Sequence, residues 1–180
     1  MSDSSYDVVL LIEQALSTND AQQVRGLHEE VEGEVRYHVL LPVEDAAARV
    51  ESAMGSLAAS EVLASPALVM SEMNLEDVQR ELLDRAREEL ATCLQRLTST
   101  GADAVGEVVS VHPIDALVAK VAEVDGREAI ILTRPHVVAE FFHLDWTHRA
   151  RRKIGVPVLH LLEHESFDEQ AGGGEGVSGM

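Results

Sequence analysis

Residues 129–162 read AIILTRPHVVAEFFHLDWTHRARRKIGVPVLHLL, and few folds can hold such a stretch. Ala129, Ile130, Ile131 and Leu132 form an unbroken apolar run, as suits a strand covered on both faces. A loop of Thr133, Arg134, Pro135 and His136 leads into helical sequence that ends at Lys153. Gly155 punctuates, and a second apolar run follows from Val156 through Leu162. Strand, crossover helix, strand favours parallel pairing and opens ligand space at the carboxyl ends of the strands.

The preceding sequence repeats this alternation. Residues 7–13 (DVVLLIE) predict a buried strand. Ser17, Thr18, Asn19 and Asp20 mark a helix start, with Asn19 as the expected cap and Gln22 in the capping-box position. Ala21, Val24, Leu27 and Val31 continue as one stripe, and Gly33 closes it. Residues 35–43 predict a central strand. Glu44 and Asp45 open a further helix, where acids suit the positive end of the dipole, with Ala47, Val50, Met54 and Leu57 as its apolar face. Between 59 and 73 only residues 67–70 could form a strand. Asn74 caps the clearest helix, whose Leu75, Val78, Leu82, Ala86, Leu90, Cys93, Leu94 and Leu97 recur at spacings of three and four. Thr100 and Gly101 end it. A strand over 105–111, Pro113 in a first helical turn and a stripe of Ile114, Leu117, Val118, Val121 and Val124 complete the pattern. The expected fold is a three-layer α/β/α sandwich, Rossmann-like, with a mostly parallel sheet of about five strands. The expected domain is a single one over 1–164, followed by a glycine-rich, disordered tail over 165–180.

Charge narrows the partners. The 180 residues carry a formal net charge of −18, which opposes non-specific nucleic-acid or anionic-membrane binding. No apolar run reaches the roughly 20 residues that span a bilayer. The N-terminus lacks the basic start of a signal peptide, and the one cysteine, Cys93, allows no intramolecular disulfide, so a cytoplasmic protein is expected.

From Val35 onward the order of elements resembles the universal stress protein family. The family's first strand ends in a Pro-Val-Asp type sequence whose acid contacts the nucleoside, and Leu41-Pro42-Val43-Glu44-Asp45 matches it. His112-Pro113 matches the turn before the third helix, and Val156-Pro157-Val158-Leu159 matches the start of the last strand. On this alignment residues 7–33 are an extra N-terminal βα unit, and residues 8–12 are expected to enter the sheet in the place of a strand missing after Leu57. The resemblance breaks at the phosphate loop. ATP-binding members carry Gly, two residues, Gly, nine residues, Gly, then Ser or Thr; here those places hold Thr133, His136, Trp146 and Thr147. Glycines there let main-chain N–H groups wrap phosphate oxygens, which side chains obstruct. Asp145, as an N-cap, would compete with phosphate for the same groups. An indole-3-glycerol-phosphate synthase activity is unsupported, because it implies a (β/α)₈ barrel of about 250 residues.

Several residue groups could carry chemistry. Arg149, Arg151, Arg152 and Lys153, with Arg134, could receive a small anion, or could complement a helix dipole and pair with acids. His136, His143 and His148 with Asp145 have metal-ligand atoms, but their spacing does not put them on one helical face, so no metal is expected. His38 and His160 fall in strands and read as structural, and Cys93 falls on a core stripe. Phe141, Phe142 and Trp146 could form a lid, a subunit contact or simple packing. The candidate crevice therefore comprises Glu44, Asp45, Thr133, Arg134, His136, Asp145, Trp146, Thr147 and Arg149. No catalytic residue and no resident cofactor are expected. The leading expectation is a non-enzymatic, homodimeric sensor or small-ligand module, pairing through the apolar edge from Val156 through Leu162. The alternative is a nucleotide-binding protein in which Arg134 and Arg151 replace the glycines and hold ATP or AMP.

Overall fold

A computed structural model describes residues 5–43, 75–133 and 152–162. The chain runs through β1 (Tyr6–Ile12), α1 (Thr18–Gly26), β2 (Val35–Pro42), α2 (Leu75–Ser99), β3 (Asp103–Val109), α3 (Pro113–Val124), β4 (Glu128–Thr133) and β5 (Val158–Leu162). The strands form one sheet in the order β3-β2-β1-β4-β5, with every neighbouring pair parallel.

β1 lies in the middle, and its composition explains why. Val8, Leu10 and Ile12 face one layer while Val9 and Leu11 face the other, all of them buried. A strand with apolar residues at every position can be satisfied only where both faces are covered. On one face, Ala21 and Val24 of α1 and Ala86, Leu90, Cys93 and Leu97 of α2 close over Leu10, Val39 and Ile130. On the other, Ile114, Leu117 and Val121 of α3, with Ile154, close over Val9, Leu40 and Ile131. This is the expected three-layer sandwich, and Cys93 is part of its core.

The place of the N-terminal unit differs from the alignment that began at Val35. β1 does enter the sheet, but as its central strand, between β2 and β4. The chain steps outward from β1 to β2 and β3, then returns to the far side of β1 for β4 and β5. Residues 7–33 are thus the first βα unit of a doubly wound sheet, and the order reverses between β1 and β4.

Local signals fix the element ends. Ser17, not Asn19, caps α1: its Oγ accepts from the Asp20 N–H at 3.1 Å, and Asp20 Oδ2 accepts from the Ser17 N–H at 2.9 Å. Asp20 is the residue whose carboxylate spans the box, and it is buried. The apolar stripe outlasts the helix, which stops at Gly26 and continues as turns. Asp125 closes α3 in the left-handed region at φ 52°, a conformation that Asp tolerates better than most residues. Pro113 sits in the first turn of α3, as the sequence predicts. No described helix is long and apolar enough to cross a membrane. The helix expected after Glu44, the short run 67–70, Asn74 and the tail 165–180 lie outside the described residues.

Candidate functional site

In an open parallel sheet, loops leave to opposite faces where the strand order reverses, and a crevice opens at the carboxyl ends there. Here that point is flanked by the ends of β1 and β4. On the β1 side, residues 13–17 connect Ile12 to the Ser17 cap. Leu16 is fully buried and pins the loop from below, while the Arg96 guanidinium, from the last turn of α2, donates to the Leu16 carbonyl. Next to it, the Val43 N–H donates to the Val109 carbonyl at 2.9 Å and ties the ends of β2 and β3 together.

On the β4 side the last strand residue is Thr133, 9% exposed. Its Oγ1 lies 2.8 Å from Nε2 of His160 on β5. Burial pushes the His160 imidazole below its ordinary value, so at neutral pH the ring is uncharged. The pair is therefore a neutral hydrogen bond laid across the sheet. The Thr133 hydroxyl is turned sideways into the neighbouring strand.

Beyond β3, the chain passes an exposed Val111 to the start of α3. Lys153 Nζ donates to Asp115 Oδ1 at 2.5 Å, and that hydrogen bond, with the lysine's charge, holds the Asp115 carboxyl below the usual range. Lys153 thus pairs with an acid, as one reading of the basic island expects.

Of the residues assigned to the crevice, Thr133 is described and stands at the switch point. Glu44, Asp45, Arg134, His136, Asp145, Trp146, Thr147 and Arg149 lie outside the described residues, as do His143, His148, Arg151, Phe141 and Phe142. The strand order adds one residue. The acid that follows the central strand of this sheet is Glu13, whereas Glu44 and Asp45 come after β2 in the sequence. The signal was present in the sequence: DVVLLIE is apolar at five successive positions and its acid comes just before a capped helix. Among the described residues no group of three or more His, Cys, Asp or Glu side chains is placed to hold a metal ion.

No family model matches the chain, and no curated protein matches it. Solved structures do. The chain is similar to a universal stress protein from Archaeoglobus fulgidus at 15% identity and a TM-score of 0.50, over 87% of this chain and 93% of that one. It is similar to the hypothetical protein MJ0577 at 13% identity and a TM-score of 0.58, over 89% and 99%. It is similar to the universal stress protein UspA from Lactobacillus plantarum at 13% identity and a TM-score of 0.51, again over 89% and 99%. These likenesses show the fold, which is that of the universal stress proteins.

Proposed function

We propose that this chain is a degenerate universal stress protein, a non-enzymatic and homodimeric cytoplasmic module that senses or binds a small ligand without cradling ATP. The observation that carries the reading is Thr133. The resemblance puts the first glycine of the phosphate loop at this position. Here a buried threonine occupies it, hydrogen-bonded at 2.8 Å to His160. Main-chain amides can approach a phosphate closely where no Cβ intervenes, and Thr133 lacks that freedom.

Glu13, at the end of the central strand, supports a polar ligand contact more directly than Glu44 or Asp45, because it flanks the switch point. The edge position of β5 among the described strands supports pairing between copies.

Two measurements test the reading. Isothermal titration with MgATP is expected to give no heat of binding, and heat-denatured protein is expected to release no adenine nucleotide. Stoichiometric nucleotide in the supernatant would overturn the reading in favour of a nucleotide-binding protein with an altered loop. Light scattering at micromolar concentration is expected to report a dimer, and a monomer would remove the subunit contact from the proposal.

A further inference from the structure

At the opposite rim of the sheet, where the strands begin, a second polar cluster is buried. His28, just past α1, is 3% exposed. Its Nε2 lies 2.5 Å from Glu128 Oε1, at the start of β4. Its Nδ1 lies 2.8 Å from the Tyr37 hydroxyl on β2 and 3.2 Å from the Val24 carbonyl of α1. The Tyr37 hydroxyl is itself 3.3 Å from the same carbonyl, and the Tyr6 hydroxyl of β1 donates to Glu128 Oε2 at 3.3 Å. The His28 ring packs against both tyrosine rings.

Counting protons in this cluster decides its charge. The Val24 carbonyl and an ionised Glu128 can only accept. The main-chain N–H groups of Leu27 and His28 go to Gln23 and Arg25, so a donor for Val24 must come from Tyr37 or His28. Suppose His28 is neutral with its proton on Nε2. Tyr37 then has one proton for two buried acceptors, Nδ1 and the Val24 carbonyl, and one of them goes without. Suppose instead that the ring carries both protons. Nε2–H donates to Glu128, Nδ1–H donates to Tyr37, and Tyr37 donates to Val24, so every group is satisfied. Leaving the last proton on Glu128 fits less well, since that side chain is 24% exposed and water favours its ionised form.

We propose that His28 and Glu128 form a proton-held latch, an imidazolium–carboxylate pair that fastens the end of α1 to the start of β4 and lets go as pH rises. The groups facing the ring are Tyr6 from β1, Tyr37 from β2 and Glu128 from β4, with Arg25 of α1 beside Tyr37 and Arg127 next to Glu128 in the chain. The two arginines oppose a further positive charge. Neither forms an ion pair with Glu128 among the described residues, whereas Glu128 touches the ring directly, so the carboxylate dominates. The Arg25 guanidinium lies beside the Tyr37 hydroxyl, and one of its nitrogens is buried with no acceptor.

The test uses the full chain labelled with ¹⁵N-histidine, with long-range ¹H–¹⁵N spectra recorded from pH 6 to 9. One of the eight histidines is expected to show both ring nitrogens protonated at pH 8, above the ordinary imidazole value of about 6.5. Its signal is assigned by its loss in His28→Gln, or, if that variant does not fold, by its displacement in Tyr37→Phe. In Glu128→Gln one nitrogen of the same ring is expected to be bare at pH 8. A second readout is the melting temperature, which is expected to fall between pH 7 and 9 in the wild type and to stay level in Glu128→Gln. A bare nitrogen on His28 at pH 7 in the wild type, or parallel melting curves for the two proteins, would overturn the latch.

Discussion

Raising the pH should leave Tyr37 un-ionised well past the ordinary range, because the sheet and its helices enclose it. The chain has two tyrosines, Tyr6 and Tyr37. Tyr37 is fully buried, and burial, reinforced by the Glu128 charge against the opposing Arg25, pushes its hydroxyl from 10.0 up to about 12. Tyr6 is also raised, first by burial and then by the charge and hydrogen bond of Glu128. Between pH 10 and 12 the unfolded chain loses the Tyr37 proton and the folded chain keeps it. The folded state thus binds more protons, and the contribution is fully present below 10 and lost as pH climbs toward 12. At roughly 1.4 kcal/mol per unit, two units amount to about 2.7 kcal/mol. That is a sizeable part of the roughly 5–15 kcal/mol typical of a domain. Absorbance at 295 nm, followed with far-UV circular dichroism, measures it directly. Tyr37 should give no tyrosinate step at 10 in native protein, with Tyr6→Phe isolating its signal, while urea-unfolded protein should show both tyrosines ionising there. Tyr37→Phe should flatten the alkaline loss of stability. Tyr37 ionising at 10 in native Tyr6→Phe, while the circular dichroism remains native, would refute the argument.

Three further outcomes follow from local geometry. A Cβ at Gly106 would stand 2.8 Å from Leu90 Cδ1 and 3.0 Å from the Val39 carbonyl; Gly106→Ala should therefore cost about 1–3 kcal/mol in a urea melt. Ser17→Ala removes the cap and half of its box, and should lower stability by about 1 kcal/mol, whereas Asn19→Ala should change it by less than half of that. Burial raises the Asp7 carboxyl, but hydrogen bonds from Ser5 and His38 outweigh it and leave the group below its ordinary value. Its contribution is present above the ordinary carboxylate range and lost as pH falls through the lowered native value, so wild-type and Asp7→Asn stabilities should converge in acid.

The sequence settled what depends on neighbours along the chain. Apolar runs of a few residues marked β1 and β4, because both faces of those inner strands are covered. Spacings of three and four marked α2 and α3, since one face of a helix meets the sheet, and Pro113, Gly101 and Asp125 marked where elements start or stop. Thr133, expected as the first loop residue after the run 129–132, is instead the last residue of β4, where its side chain reaches His160. The place of Tyr6–Ile12 was not legible, because strand order is set by which edges meet across crossovers, and periodicity is the same for a central strand and an added one. That single fact puts Glu13 beside the switch point, a residue that periodicity alone did not single out. His28 and Glu128 lie 100 positions apart and join only when α1 and β4 flank the same central strand. Local spacing therefore determined the elements and the core, and the pairing of β1 between β2 and β4 decided which side chains share a rim.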